Sequence, residues 1–394
     1  KITENIPFFW QYNDDAGVQI LTTAYFPKIF HTYKDRMERP TFPIIAKVLG
    51  EIVGVVISPV KKLSQLEKAG AGILLLKIFI FSIFSIISFE IFSKIMSKEY
   101  AFFSVFLFLT HEFTIKSLSM FHTLELQFIT PVIISYFFLN LFKKYTHTKN
   151  IIFSIIIGIL ILAKSNYAFY FGFLIFSIIN KKIFESILSF VMHLLPLALY
   201  LSYLKILNFE FYSLQKDYDM GVWLLNSNFL ILENLFNLFI ESITKFTAAT
   251  FYNFHILIFA AIFGYFKLDD NLKKNYFLII LILIFMTWFQ QFFSNRYRPY
   301  MSADISIIIF GLSSFWLFKL KFNTLNTKFI LIPISILWLI ANLLIMANFP
   351  LIHPKYHPER NSDVMTQRLD MVENYEDYTE DDRKNAKGGV LLNK

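Results

Sequence analysis

The chain has 394 residues, of which 56% are hydrophobic and only 17% are charged, and its mean hydropathy is +0.52. A soluble domain is roughly 45–50% apolar and about a quarter charged, so this composition excludes an ordinary soluble protein and predicts an integral membrane protein. The net charge of +8 does not predict nucleic-acid binding, because the lysines cluster in short loops between apolar runs, and the lack of Cys excludes a disulfide framework, a thiolate nucleophile and a Cys-based metal site.

The sequence predicts three regions in chain order. Residues 1–42 are polar and aromatic and predict a first extracytoplasmic loop with an acidic motif and short helices. Residues 43–349 predict a transmembrane helical domain, and residues 350–394 predict a short, charged extracytoplasmic tail that a partner protein could order. Because the chain begins at Lys1 rather than Met, we expect a further segment before it.

Ten apolar runs predict membrane spans, since a helix of about 20 residues crosses a bilayer core. The expected fold class is therefore an all-α polytopic membrane protein. The runs are residues 43–60, 71–93, 126–142, 150–163, 167–180, 183–207, 248–266, 275–293, 303–318 and 329–349.

Two further apolar stretches predict helices that do not cross the membrane. Residues 101–110 are too short and lead directly into His111 and Glu112, which favours a re-entrant or interfacial helix. In residues 229–244 a narrow polar stripe recurs at helical spacing among Leu, Phe and Ile, which favours a helix at the membrane surface.

Lysine in the short loops assigns the two faces of the membrane. The positive-inside rule makes the lysine-rich side cytoplasmic, so residues 1–42 and the tail are expected outside. The outer face then holds most of the acids and arginines, which favours an enzyme acting at that surface. Usage heavy in Ile, Lys, Asn and Phe favours a bacterial inner membrane. The lysine-bearing loops are 61–68, 143–149, 181–182, 267–274 and 319–328.

The adjacent carboxylates Asp14 and Asp15 are the first candidates for chemistry. Sugar transfer to a hydroxyl or amine needs a carboxylate that takes the acceptor's proton as the anomeric bond breaks. The pair also permits a divalent cation, Mg²⁺ or Mn²⁺, without requiring one. The structural alternative is an Asx turn or a helix cap just before Val18–Phe26.

Four basic residues are candidates for binding the phosphate of a lipid donor. Arginine matches phosphate through its planar fork of donors, and Arg39 lies at the mouth of the first visible span. Arg296 and Arg298 lie beside tyrosines between two spans, where they could bind a phosphate or serve as interfacial anchors. Lys164 lies between two short apolar runs, where a charge is a functional candidate by default.

His122 and Glu125 lie just before the predicted span at 126–142. The acid could orient the acceptor or the sugar, or it could only cap the helix. No cluster with metal-ligand spacing is assigned.

Four motifs recur in a familiar order on the predicted outer face. They are Asn13-Asp14-Asp15-Ala16, Glu38-Arg39-Pro40-Thr41-Phe42-Pro43, Leu162-Ala163-Lys164-Ser165-Asn166-Tyr167 and Asn295-Arg296-Tyr297-Arg298-Pro299. Together they span about residues 13–318 and resemble the GT-C superfamily, within it the protein O-mannosyltransferase and aminoarabinose-transferase-like branch.

This resemblance implies a GT-C-like helical bundle of about 10–11 transmembrane helices, each about 20 residues long, with interfacial helices in the outer loops. It also implies a polyprenyl-phosphate-sugar donor, a protein, lipid or glycan acceptor, and transfer on the extracytoplasmic face. By matching position, Asp14 would be the catalytic base and Asp15 would support it. Arg39, Lys164 and Arg296 would hold the donor phosphate.

The chain departs from the family in two places. Many relatives have His-Pro-Pro where this chain has Glu38-Arg39-Pro40, and several carry a large soluble C-terminal domain where this chain has a short tail. The competing interpretation is a non-catalytic membrane protein, either a lipid or sugar transporter or a scaffold subunit of a membrane complex. A transporter is expected to show repeats and interrupted helices, whereas only 12 Gly and 12 Pro occur and no repeat is found.

Overall fold

The computed structural model describes residues 14–31, 37, 39–112, 114–115, 129, 131–136, 146–163, 183–211, 231–294, 304–320, 327–348, 370, 373–374, 386–387 and 390–391. These residues are mainly helical, with one pair of two-residue strands, which confirms the all-α class. The helices are α1 (Asp14–Tyr25), a 3₁₀ turn (Lys28–His31), α2 (Thr41–Ile57), α3 (Gln65–Phe92), α4 (Lys98–Leu109), α5 (His147–Ala163), α6 (Ile183–Ile206), α7 (Leu232–Phe254), α8 (Leu257–Phe266), α9 (Asp270–Ser294), α10 (Ser306–Lys319) and α11 (Thr327–Asn348); β1 is Ala386–Lys387 and β2 is Val390–Leu391.

Two helices, α3 and α6, are long and apolar enough to cross a membrane. The bent pair α7 and α8 is a third candidate if it counts as one span. Shorter apolar helices are α5, α10 and residues Leu331–Leu344 within α11. The structure therefore supports membrane association, whereas the described ranges contain far fewer candidate spans than the ten that the apolar runs predict.

The helix α3 begins six residues before the predicted run at 71–93 because a capping box sets its start. The Ser64 hydroxyl accepts from the Glu67 backbone N–H at 3.2 Å, and the Glu67 carboxylate accepts from the Ser64 N–H at 2.8 Å. Two orphan N–H groups at the helix start are thereby satisfied. The hydropathy of the sequence marks where the helix becomes apolar, which is not where it begins.

The helices α2 and α3 form an antiparallel hairpin with closely packed backbones. Ala46, Gly50 and Gly54 recur every four residues and share one face of α2. A Cβ added to Gly50 would lie 2.2 Å from the carbonyl oxygen of Lys68, and one added to Gly72 would lie 1.9 Å from that of Ala46. Small residues permit this approach at interfaces between membrane helices.

The helices α5 and α6 pack in parallel. The Asn150 amide donates to the Glu185 carbonyl at 3.0 Å, and the Ser154 and Ser189 hydroxyls are 2.5 Å apart. Both contacts join residues 35 positions apart, so the end of α5 and the start of α6 lie at opposite ends of the pair. The predicted span at 167–180 lies between these two helices in the chain and outside the described residues.

The helix α1 is packed against the hairpin of α2 and α3. Its residues Val18, Leu21 and Ala24 are buried. At its end, the Lys47 ammonium of α2 donates to the Phe26 carbonyl at 2.7 Å. The predicted first loop is thus in part a packed helix.

The sequence predicts that residues 1–42 and the loop 61–68 lie on opposite faces of the membrane, and this assignment stays a prediction. Leu66, in the first turn of α3, joins the apolar cluster that contains Phe26 and Phe30. The end of α1 therefore contacts the start of α3. The number of lysines in a loop gives no information on such a contact, because the contact is made by the apolar face of α1.

The bend between α7 and α8 corrects two predicted boundaries. The sequence predicts a surface helix at 229–244 and a separate span at 248–266. In the structure α7 continues without a break to Phe254, and the chain turns by 96° before α8. His255 at the turn has φ 46° and ψ −129°, a conformation that a non-glycine residue adopts only under constraint.

Candidate functional site

Most of the predicted site lies outside the described residues. The predicted site residues that lie outside them are Lys164, Arg296, Arg298, His122 and Glu125. Asp14 and Asp15 form the first turn of α1, but their side chains lie outside the description as well. Arg39 is half-buried next to Pro40, the residue before α2. The predicted donor-binding and acceptor-orienting roles therefore stay predictions.

The buried face of α1 carries polar groups one to two turns after the acidic pair. Thr22 and Thr23 are fully buried, and their hydroxyls donate to the carbonyls of Val18 and Gln19 at 2.7 and 2.8 Å. The side-chain nitrogen of Gln19 is also buried, yet it has no hydrogen-bond acceptor among the described residues. A buried donor without an acceptor is rare and costly in folded proteins, so this position is a candidate for contact with a polar ligand.

The opposite end of α1 contacts the C-terminal tail. The Tyr25 hydroxyl donates to the Glu373 carboxylate. Burial, followed by this carboxylate, raises the pKa of Tyr25, so the phenol stays protonated at neutral pH. The tail thus reaches the helix that opens with Asp14 and Asp15.

A second polar region lies at the end of α4, and we call it the His111 cluster. It consists of His111, Glu112, Asn253, Trp338 and Asn342. The His111 Nε2 and the Asn253 carbonyl oxygen are 2.8 Å apart, and the Glu112 backbone N–H donates to the Asn342 side chain at 3.0 Å. The Trp338 indole donates to the Leu107 carbonyl at 3.1 Å, which joins α11 to the last turn of α4.

The His111 ring is enclosed by aromatic side chains. The ring centroids of Phe254, Phe310 and Trp338 lie 5.9, 5.6 and 6.0 Å from that of His111. Burial lowers the pKa of His111 to about 4, an effect that the hydrogen bond to Asn253 opposes and that His255 strengthens. The imidazole is therefore neutral at physiological pH and can donate from Nε2.

Glu112 brings a carboxylate into this apolar surrounding. It is 2% exposed and interacts electrostatically with Tyr252 and His255 at the bend. The bend, the end of α4 and α11 thus converge on one buried acid. Buried ionisable groups in membrane proteins mark functional positions or structural pairs.

Lys77 is another buried ionisable residue, 1% exposed in the middle of α3. It precedes Phe81 by one turn, and the Phe81 ring is 6.3 Å from that of Phe108, four residues before Glu112. Asp304, just before α10, is 2% exposed. A charged side chain is fully buried almost only when it is paired, so we expect Lys77 and Asp304 each to have a polar or charged partner.

Sequence patterns did not reveal the His111 cluster as a site. They placed His111 and Glu112 after a short apolar helix, but Asn253 and Asn342 are 142 and 230 positions away from their partners. Neither asparagine lies in a recognisable motif. Within the described part of the chain no group of three or more His, Cys, Asp or Glu could hold a metal ion. The divalent cation permitted at Asp14 and Asp15 stays untested.

No family model, no curated protein sequence and no solved structure matches this chain.

Proposed function

We propose that the chain is a membrane-embedded glycosyltransferase that moves a sugar from a polyprenyl-phosphate donor to an acceptor on the extracytoplasmic face. The observation that supports it best is the composition of α1. This helix opens with Asp14 and Asp15, is packed into the hairpin of α2 and α3, and carries a buried donor on Gln19 that has no acceptor among the described residues. A carboxylate pair and an amide donor one turn apart suit a ligand rich in hydroxyl groups.

The reaction assigned to this site is an inverting displacement. Asp14 takes the proton of the acceptor hydroxyl or amine, whose oxygen or nitrogen forms a bond to the anomeric carbon. The bond between that carbon and the phosphate oxygen breaks, and polyprenyl phosphate leaves with the electron pair. General-base assistance of this kind is worth about 10²–10⁴-fold in rate.

The helix start supports the ionised state that a base requires. The N-terminus of a helix carries a partial positive charge that favours a carboxylate in the first turn. Asp15 also precedes Gln19 by four residues, which puts both residues on one face of α1. In this proposal Asp15 supports Asp14, and the Gln19 amide donates to the sugar.

The remaining assignments follow from the order of the motifs. Arg39, Lys164, Arg296 and Arg298 would bind the donor phosphate, since charge on the leaving group is best stabilised by preorganised cations. His122 and Glu125 would orient the acceptor or the sugar. The donor's chain would lie in the bilayer beside the apolar helices.

The test is transfer from a panel of radiolabelled polyprenyl-phosphate sugars by the purified chain in lipid nanodiscs. We expect Asp14→Asn to lose at least about 100-fold in turnover, in line with the removal of a general base. The matched control is Asp270→Asn, because Asp270 also opens a helix but its side chain is 96% exposed in a predicted cytoplasmic loop. If both variants keep full turnover, or lose it equally, the assignment of Asp14 as base is wrong.

One observation favours a second candidate, a transporter. The sharp bend at His255, beside the buried Glu112, resembles the interrupted helices that line transport sites. A transporter predicts movement of labelled lipid or sugar across a sealed vesicle without cleavage of the sugar–phosphate bond. Transport without cleavage, unaffected by Asp14→Asn, would replace the glycosyltransferase proposal.

A further inference from the structure

Among the described residues, α7 contacts other helices along one narrow edge. Along this edge Ser242, Ala249 and Asn253 are buried, whereas nearly every other position of the helix is partly or fully exposed. The Trp288 indole of α9 donates to the Ser242 hydroxyl at 3.0 Å, and Phe239 packs edge-on against the same indole. The edge fixes the orientation of α7, and no described helix covers its two other faces.

These two uncovered faces differ in polarity. One carries Leu232, Phe236 and Ile240, which are 80%, 62% and 47% exposed, together with Phe239 and Ile243. The other carries polar side chains at a spacing of four residues, and within it Glu241 and Lys245 form an ion pair. The polar residues are Glu233, Asn237, Glu241 and Lys245.

Exposed apolar area on this scale needs a cover. An amphipathic helix with one apolar and one polar face lies in the membrane–water boundary, with the apolar face among the acyl chains. The polar stripe here has two glutamates and one lysine, so charge does not attract it to anionic lipid. The chemistry that fits is the hydrocarbon boundary of a bilayer of any headgroup charge.

The angle to the next helix provides an independent argument. The helix α8 is apolar and packs against α10 so closely that a Cβ on Gly264 would lie 2.0 Å from the Leu312 carbonyl oxygen. Its other side exposes Phe259, Phe263 and Phe266. Two halves of a broken span would both lie near the membrane normal, since spans tilt by about 20° on average. A turn of 96° is expected instead when one helix lies in the surface and the next enters the bilayer.

We propose that α7 lies in the plane of the membrane surface and that His255 is the corner at which the chain enters the bilayer through α8. Asn253 belongs both to this corner and to the His111 cluster, so the buried His111 and Glu112 lie at headgroup depth. This placement does not depend on the glycosyltransferase proposal, because it uses only the exposure of α7 and its angle to α8.

The chain contains no Cys, so single-cysteine variants can carry a spin label at chosen positions. Labels at Leu232→Cys, Phe236→Cys and Ile240→Cys are compared with labels at Glu233→Cys, Asn237→Cys and Glu241→Cys. The full chain is placed in vesicles of phosphatidylcholine alone, and collision with oxygen and with a water-soluble nickel chelate gives the depth of each label.

We expect the first three labels to be accessible to oxygen and the second three to nickel, with no drift in depth along the helix. Phe259→Cys and Phe266→Cys on α8 are the internal control, since seven residues along the normal differ in depth by about 10 Å. A steady change of depth along α7 would make it half of a span and overturn the proposal. Low access to both reagents at the apolar positions would show a protein partner or a second copy in place of lipid, and would also overturn it.

Discussion

Gly50 and Gly54 on α2 allow the contact between α2 and α3 to be tested with two identical substitutions. Both glycines lie next to Lys68, but they approach different parts of it. A Cβ on Gly50 would lie 2.2 Å from the Lys68 carbonyl oxygen, whereas a Cβ on Gly54 would lie 2.8 Å from the Lys68 side-chain Cε. The first neighbour is backbone and the second is the end of a flexible side chain.

The expected free energies of unfolding follow from this difference. Gly50→Ala must push the two backbones apart by roughly 1 Å, and overpacking of this kind costs about 1–3 kcal/mol. Alanine recovers about 1 kcal/mol of helix propensity, so the upper end of the range leaves a net loss of about 2 kcal/mol. In Gly54→Ala the Lys68 side chain can move away. The cost is then limited to its ion pair with Glu51, which is partly exposed and worth about 0–1 kcal/mol, and the net change is near zero or slightly stabilising.

The assay is unfolding of the purified variants in lipid–detergent mixed micelles, followed by Trp fluorescence and far-UV circular dichroism. Gly50→Ala should unfold at lower denaturant than the parent chain, and Gly54→Ala should unfold at the same point or later. Equal stability of both variants, or the reverse order, would mean that α2 and α3 do not meet through these glycines. The position of α1, which packs on this hairpin, would then lose its support.

Two further predictions concern the buried ionisable groups. Burial lowers the pKa of His111 to about 4, so between pH 6.5 and 4 the unfolded chain binds a proton that the folded chain does not. The stability that the neutral imidazole contributes is complete above about pH 6.5 and falls as the pH drops, by at most about 1.4 kcal/mol per pH unit. The difference between the unfolding curves of the parent chain and His111→Gln should show this dependence, whereas parallel curves would contradict it. Lys77→Met should destabilise the chain by about 3–5 kcal/mol, the cost of leaving the partner of a buried charge uncompensated. The control is Lys94→Met, which should change the same unfolding midpoint little because Lys94 lies just after α3 and is half-exposed. A more stable Lys77→Met would show that Lys77 is not held as a charged pair.

The hydropathy of the sequence predicts most helices of the described part well. The run 183–207 corresponds to α6 at Ile183–Ile206, and 329–349 corresponds to α11 at Thr327–Asn348. The apolar stretch 101–110 is indeed a short helix, α4, that ends just before His111. Hydropathy identifies these elements because each one is a single continuous apolar helix.

The close helix contacts could also have been predicted from the sequence. Ala46, Gly50 and Gly54 recur every four residues, and this spacing is the known signal for helices that approach closely. Counting glycines along the whole chain hides that signal. What matters is that small residues share one face.

The bend at His255 could not have been predicted in the same way. Sharp kinks usually occur at Pro or Gly, and Pro196 and Pro333 lie inside α6 and α11, which continue past them. At His255 there is neither. The side chains that meet at the turn, His111 and Phe310, come from distant parts of the chain, so only the folded structure reveals why the helix stops there.

The depth of this bend also bears on the two proposed functions. If α7 and α8 were halves of one span, Glu112 and the bend would lie inside the bilayer, where a transporter binds its substrate between broken helices. If α7 lies in the surface, the same carboxylate lies at headgroup depth, the level at which the sugar–phosphate bond of a membrane lipid is found. An in-plane α7 therefore removes the observation that favours transport and leaves the acidic pair of α1 as the stronger basis for assigning a function.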